Sequence, residues 1–481
     1  MLVTPEKLTS RNFLDFLALL GRPLRFVVDE AQCVVEWGEF RPSYTKLNVI
    51  KETFPTAPVL AMTGTGTSSD AREIAASLGC PAASFVIGET ARPEIVYSAV
   101  DDRSGRSLKH SFPRLMEVLE SHESECGLVF VSTVRGVRDT LAAIVEHFGE
   151  RLPATCYHGQ LPFLEKQARA QQWASGTARV MVATSSFGMG INNTSCRYVV
   201  HLQLPSSLVA YQQESGRAGR DGRPAKAYLL ASRSDHSVWA PIFSRSAREY
   251  VIRQHNGQPP PAAAFMSAMF AITVPQHRRV EEAFLFASLR VCRRWLLAVG
   301  VSAACASLAR ESLCMQDNAC DFCQDKREGR SDARRADVTK HANLILSILD
   351  EMLDKGITPT VDDVTLVFMR SKRVEARPQL RELASYHSTF SARLHATLPA
   401  PTARLAGKVL SVLIARGEVE QRALPPDMNC DDDEDEDDHA TFDTINGDVI
   451  RRRHSLYLAL PRQNRSLSTP IASAQPIFMD I

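Results

Sequence analysis

Seven short apolar runs constrain the fold of this 481-residue chain more than any other feature: 24–30 (LRFVVDE), 57–63 (APVLAMT), 127–132 (GLVFVS), 154–158 (ATCYH), 179–184 (RVMVAT), 197–202 (RYVVHL) and 226–231 (KAYLLA). Runs this short and this apolar suit strands buried on both faces, which occur in parallel sheets whose crossovers are helices. Amphipathic stretches at 134–149, 163–175 and 208–217 supply the crossovers. The alternation predicts an α/β chain with a parallel sheet from about residue 101 to 232, and part of a second such sheet, entered late, over 1–100. Pro259-Pro260-Pro261 marks a loop or linker. Beyond it, 276–312 reads as mostly helical, and 338–420 holds helical patterns that include 340–354 and 404–417. The polar tail after Pro461 is expected to lack order.

The formal charge of +1 conceals segregation: Lys and Arg recur through 100–340, while Asp431 to Asp438 is unbroken acid (DDDEDEDD). Net charge therefore neither argues for nor excludes a nucleic-acid partner. Eleven cysteines are scattered as single thiols apart from one cluster after Cys292. That usage suits a reducing compartment, where a cluster signals metal more often than disulfide. Asp15 interrupts the apolar stretch 13–20, so no secretory leader is expected. The uncharged run from Trp295 to Ala309 lies between Arg294 and Arg310 and falls short of the roughly 20 residues a membrane span needs. It reads as a buried helix, and no membrane partner is expected.

Three places carry chemistry. The run Phe26-Val27-Val28 ends in Asp29 and Glu30, which is how a buried strand delivers carboxylates to a sheet edge where a magnesium nucleotide can sit. In YQQESGRAGRDG (211–222), Arg217 and Arg220 are spaced by small residues, and guanidinium forks suit phosphate oxygens; taken alone, the same pattern also describes a solvated arginine loop. Cys320-x-x-Cys323 is a knuckle whose thiolates can share a tetrahedral zinc, or serve redox chemistry.

The segments DEAQ, AMTGT, YHGQL, VATSSFGMGIN and YQQESGRAGRDG occur in the order and spacing of superfamily 2 helicases. CVVEWGEFRPSY (33–44) resembles the aromatic-rich loop of one branch, the RecQ family. The resemblance is strong from residue 3 to about 232 and weak onward to about 460. It implies ATP-driven 3′→5′ unwinding of DNA in recombination, repair or replication, with ATP and Mg2+, a structural Zn2+, single-stranded and duplex DNA as partners, and placement in the nucleus. Residue by residue, Asp29 would hold magnesium, Glu30 would polarise the attacking water, and Gln32 would couple nucleotide to DNA. Arg220 would be the arginine finger, with Arg217 and Gln213 beside it on the nucleotide. Trp37, Phe40, Arg41 and Tyr44 would touch single-stranded DNA, and His158, Thr184 and Ser185 would line its path. The implied zinc ligands are Cys292, Cys314, Cys320 and Cys323, with Cys305 as the alternate for Cys314. The implied domains are the C-terminal part of a first RecA-like domain (1–100), a second RecA-like domain (101–232), a helical zinc-binding subdomain (233–335), a winged helix with an acidic insert (336–465) and a tail (466–481).

The sequence departs from the family in three ways. Gln32 stands where the family usually has histidine, and Trp37-Gly38-Glu39-Phe40 is one residue shorter than the usual aromatic loop. No G-x-x-x-x-G-K-[ST] phosphate loop occurs, and Gly407-Lys408 is followed by Val409. VTPEKL (3–8) resembles a segment that follows that loop, so the chain is expected to begin about halfway through the first motor domain. Two functions follow as expectations: a RecQ-type helicase that is inactive as this chain, or a non-catalytic DNA-binding module or decayed remnant. The acidic run is expected to be a solvated loop in the wing, with a phosphate-mimicking autoinhibitor as the sharper alternative.

Overall fold

The computed structural model describes residues 1–20, 24–36, 43–44, 46–64, 68–86, 92–101, 108–187, 193–301, 313–314, 319–330, 335–371, 373–374, 377–383, 403–416, 418–423, 442–445, 448–451, 456–459 and 478–480. The acidic run 431–438 and residues Trp37, Phe40, Arg41 and Cys305 lie outside this set. The chain divides into two compact units: Met1–Arg92 with Arg245–Ile272, and Pro93–Ser244 with Thr273–Ile481.

In the first unit, β1 (Phe26–Val28) pairs in parallel with β2 (Val59–Ala61), with Phe26 opposite Val59. Five helices surround the pair in sequence: α1 (Pro5–Leu8), α2 (Arg11–Leu19), α3 (Cys33–Glu36), α4 (Val49–Thr53) and α5 (Ser68–Ser77). Thr4 caps α1 by accepting from the Lys7 N–H, and Pro5 fills its first turn, where a missing N–H costs nothing. Phe13, Leu14 and Leu17, spaced along one face of α2, join Val28, Val34, Ile50 and Ile74 in the core.

In the second unit, six parallel strands lie in the order β3-β8-β7-β4-β6-β5: β3 (Ile95–Asp101), β4 (Cys126–Phe130), β5 (Ala154–Tyr157), β6 (Val180–Ala183), β7 (Cys196–His201) and β8 (Ala225–Ala231). Alternate residues serve opposite faces. Val129, Val180, Val182 and Val200 enter one core, while Leu128, Phe130, Met181 and Val199 enter the other. This two-sided burial explains the continuous apolar runs in the sequence. The crossovers are α6 (Phe112–Glu120), α7 (Val134–Phe148), α8 (Phe163–Ala174) and α9 (Leu208–Ser215). Strand β3 extends the sheet upstream of the expected start near residue 101. Its sequence, IVYSAVD, interleaves polar residues with apolar ones and so lacks the continuous signature; it pairs only with β8, at the sheet's edge.

After β8 come α10 (His236–Gln254) and α11 (Ala262–Ser288), then α12 (Arg293–Val299) and α13 (Asp321–Arg327). Strand β9 (Arg335–Asp337) leads into α14 (Thr339–Asp354), α15 (Val361–Phe368), α16 (Pro378–Arg381) and α17 (Ala403–Ala415). Ile345, Leu349, Val364, Phe368, Val409 and Leu413 from three of these helices are fully buried in one cluster. Thr360 and Asp363 close a reciprocal cap at the start of α15. β10 (Glu420–Ala423) pairs antiparallel with β13 (Leu456–Ala459), and β11 (Phe442–Ile445) with β12 (Asp448–Arg451). The expectation of a wholly unordered tail is corrected at its end: β14 (Phe478–Asp480) pairs antiparallel with β9.

Candidate nucleotide, nucleic-acid and metal sites

In the first unit the structure gathers Asp29, Glu30 and Gln32 just past β1. Strand pairing continues one step beyond β2, with the Met62 N–H donating to Val28 O (2.9 Å) and the Ala31 N–H to Met62 O (2.8 Å). Between these anchors Glu30 adopts φ +50°, a left-handed conformation that costs a non-glycine residue energy and often marks a functional turn. Both carboxylates are exposed, whereas Gln32 is buried. Its Nε2 donates to Glu30 Oε2 (2.7 Å), and its Oε1 has no hydrogen-bond partner among the described residues. Exposed carboxylates beside an unsatisfied buried amide oxygen fit a hydrated magnesium nucleotide, but the sequence offers no phosphate loop to hold its β- and γ-phosphates. Tyr44 is placed differently from an exposed base-stacking ring: it packs in this unit's core.

In the second unit the candidates fall at two edges of one sheet. His158, Thr184 and Ser185 follow the carboxyl ends of β5 and β6. Ser185 is exposed, and Thr184 Oγ1 shares a 2.7 Å hydrogen bond with Ser186 Oγ. His158 is 4% exposed and its Nδ1 has no partner among the described residues. Burial, followed by the charges of Arg138, Arg169 and Lys166, pushes its pKa below the ordinary histidine value. A crevice at this edge is lined by Ser132, Ser185, His201, Gln203, Leu204 and Glu214. Two features of it escaped the sequence reading. Gln203 Oε1 accepts from the Ser132 N–H (3.1 Å), and His201 Nε2 lies 2.8 Å from Glu214 Oε2 in a buried pair. The signal was present as polar residues closing the apolar run RYVVHLQ.

From α9, whose start is capped by Ser207 accepting from the Ala210 N–H (3.0 Å), the chain runs back to the amino edge. There the Gly219 N–H donates to the carbonyl of Cys196, the first residue of β7 (3.0 Å). Gly219 has φ +66°, and a Cβ on it would sit 3.1 Å from Arg223 O and 3.0 Å from Glu94 Cγ. Glycine alone suits position 219 of this turn. Arg197 Nη2 bonds Asp221 Oδ1 (2.7 Å), holds that carboxyl below its usual range and ties the loop to β7. Gln213 and Arg217 are half-buried and Arg220 is exposed. The arginine loop and the His158–Ser185 set are therefore separated by the length of the strands, on the order of 15 Å.

The third site is a thiol cluster. The Sγ atoms of Cys292, Cys314, Cys320 and Cys323 all lie within 4.8 Å of one another, with Cys292 and Cys314 3.6 Å apart. A tetrahedral ion with metal–sulfur bonds of about 2.3 Å places its sulfurs about 3.8 Å apart, so a four-thiolate metal fits this donor set. Backbone N–H groups support the sulfurs: Arg293 N donates to Cys320 Sγ (3.4 Å) and Cys320 N to Cys314 Sγ (3.3 Å). Arg293 forks onto Asp321 (3.0 and 3.1 Å), and Asp321 accepts from the Ala99 N–H of β3 (2.9 Å). Arg294 donates to the Pro93 and Ile95 carbonyls (2.8 and 2.9 Å). The cysteine segment thereby covers the edge strand of the sheet and satisfies backbone groups there. No described helix is long and apolar enough to cross a membrane.

Comparison with known proteins adds lineage to this geometry. The family described as helicase conserved C-terminal domain matches residues 110–222. The chain is 36% identical over 241 residues to ATP-dependent DNA helicase Q-like 4B of Arabidopsis thaliana, covering 49% of this chain and 20% of that protein. It is 32% identical over 237 residues to ATP-dependent DNA helicase RecQ of Pasteurella multocida, covering 49% and 36%. With the putative ATP-dependent DNA helicase Q1 of Caenorhabditis briggsae the identity is 29% over 382 residues, covering 78% and 56%. The chain thus spans between a fifth and just over half the length of these curated relatives. The six-stranded parallel sheet is that of a RecA-like helicase domain, and the curated relatives that the chain resembles are RecQ-type DNA helicases.

Proposed function

We propose that this chain is the DNA-engaging and arginine-bearing portion of a RecQ-type motor, whose reaction is ATP-driven 3′→5′ separation of DNA strands. Asp29 and Glu30 take the magnesium and water-polarising roles, and Gln32 relays between nucleotide and DNA. Arg220 is the arginine finger, and Arg217 and Gln213 are its neighbours on the nucleotide. Such chemistry asks mainly for positioning and charge neutralisation, which these residue types supply. Trp37, Phe40 and Arg41, with His158, Thr184 and Ser185, follow the strand; Tyr44 serves as a packing residue of the same segment. Cys292, Cys314, Cys320 and Cys323 hold a structural zinc, since the site is closed on four thiolates with no open position. The three buried helices α14, α15 and α17, with the β10–β13 pair, form a winged helix that meets duplex DNA. The domain limits follow the sequence expectation except that the second RecA-like domain begins with β3, with an intracellular, nuclear location.

The observation that supports this reading best is the division of the motif residues between two edges of one buried sheet, with the DNA set at the carboxyl edge and the arginine loop at the amino edge. The lack of G-x-x-x-x-G-K-[ST] in the sequence favours a second reading for the chain by itself, as a DNA-binding module without turnover. One assay tests both. Purified chain, titrated with a 3′-tailed duplex, binds DNA and releases no phosphate from ATP on either reading of the missing loop. DNA-stimulated phosphate release that is lost in Glu30→Gln means the chain carries its own phosphate cradle and overturns the second reading. Failure to bind DNA overturns both.

A further inference from the structure

The first turn of α8 carries two large apolar side chains in full view of solvent: Phe163 is 71% and Leu164 76% exposed. They sit side by side immediately after Pro162, which caps the helix without a side-chain hydrogen bond. Single exposed apolar residues are ordinary. This pair is less so, because of its surroundings. His158, four residues before Pro162, is buried with an unpartnered Nδ1, and its pKa is pushed down by burial and by three cations. Those cations are Arg138 from α7 and Arg169 and Lys166 from α8; Glu165 is the one acid acting on the same ring. Arg169 is engaged by Glu165 (3.0 Å), and Lys166 is turned back onto Gly159 O (2.6 Å). Arg138 is exposed and makes no hydrogen bond or ion pair among the described residues. An exposed aromatic ring, an adjacent aliphatic shoulder and a surplus of positive charge are the components of a single-strand binding surface. Every base offers a π face to stack, and the phosphates meet the cations.

We infer that Phe163 is a base-stacking contact for single-stranded DNA, with Leu164 as its apolar shoulder and Arg138 and Lys166 as phosphate contacts. The inference rests on the proposed function and extends it to residues on α8. It commits to a single strand rather than a duplex, because a ring standing clear of the surface needs an unstacked base to cover it. It also commits to DNA rather than a protein groove, because the apolar pair is flanked by cations.

The test uses the full chain and a fluorescent oligothymidylate, read by anisotropy across a salt titration. Phe163→Ala weakens binding about tenfold and leaves the salt slope unchanged, since it removes stacking and no charge. Phe163→Tyr retains affinity. On an oligonucleotide of abasic sites, wild type and Phe163→Ala bind alike. Arg138→Gln lowers the log–log salt slope by about 1. Because Phe163 is so exposed, the variants should melt with the wild type. Equal affinity of Phe163→Ala and wild type for oligothymidylate overturns this inference while leaving the proposed function standing. The same result with loss of self-association or of a protein complex assigns the pair to a protein contact and also overturns it. A wild-type chain that binds no DNA overturns the proposed function and this inference together.

Discussion

The two parallel sheets differ in how well they are covered. In the second unit, Leu128, Val129, Val180, Met181, Val199 and Val200 are fully buried, and both sheet faces open onto packed cores. In the first, Val27 is 59% and Leu60 55% exposed, on a sheet of two strands among the described residues. Parallel strands are stable when both faces are covered. A pair with one open face is held chiefly by the few residues of its core, such as Val28 and Ile50. His158, Thr184, Ser185 and the arginine loop thus stand on a sheet packed on both faces. Asp29 and Glu30 follow a strand whose Val27 is largely exposed among the described residues.

The largest effect that sharpens the contrast comes from the thiol cluster. A structural zinc can contribute on the order of 10 kcal/mol of apparent binding free energy, all of it to the second unit. Cys323→Ser, or a strong chelator, should abolish one equivalent of zinc and collapse the melting transition that includes the sheet. Unchanged metal content and melting would remove zinc from the account. Next, amide hydrogen exchange should protect β4, β6 and β7 at least about a thousandfold more than β1 and β2, because local opening ranges from nearly free to the global unfolding energy. Equal protection would break the comparison outright.

Single glycines probe it at smaller scale. A Cβ on Gly127 would lie 2.2 Å from the Tyr198 ring, in the filled core of the second unit. Gly127→Ala should therefore cost about 3 kcal/mol in urea unfolding. Gly64 in the first unit has nothing within 4 Å among the described residues, and Gly64→Ala should stay within about 0.5 kcal/mol. The smallest effect is on pH dependence. His277 is fully buried, with neither ring nitrogen bonded among the described residues. Burial and then the nearby His236 push its pKa down to about 3, against the pull of Glu281. The unfolded ring binds a proton near pH 6.5 and the folded one does not. The stabilisation is therefore complete above about pH 6.5 and is lost as pH falls toward 3. Between pH 6.5 and 5 the loss is about 2 kcal/mol. Urea midpoints at pH 7 and 5 should draw together in His277→Leu, whose side chain has no proton to bind.

Five strands of the second sheet were legible because continuous apolar runs bounded by turns report two-sided burial. Strand β3 was not, since Ser98 and Asp101 break its run and its identity depends on pairing with β8, over 120 residues away. The terminal strand Phe478–Asp480 is defined by its partner β9 in the same way. The candidate site residues were chosen from motif spacing. Their placement on opposite sheet edges was not legible, because it depends on where α9 returns the chain. Tyr44 shows the limit of composition: an aromatic residue in an arginine-containing loop reads as a base contact, while burial in a core assigns it to packing. Phe163 is the converse. Its neighbours in sequence are unremarkable, and only its exposure, on a helix whose Arg169 and Lys166 act with Arg138 of α7 on the His158 ring, marks it.

The central claim is that DNA follows the carboxyl edge of the second sheet and leaves the arginine loop at the amino edge for nucleotide. Photo-crosslinking tests this most directly, with a single-stranded oligonucleotide carrying a photoreactive thymine and mass spectrometry of the adducted peptides. The account predicts adducts on the segment from His158 to Lys166 and around Ser185, competed away by unlabelled single strand. Adducts concentrated on Gly216–Gly222, with none at the carboxyl edge, would contradict it.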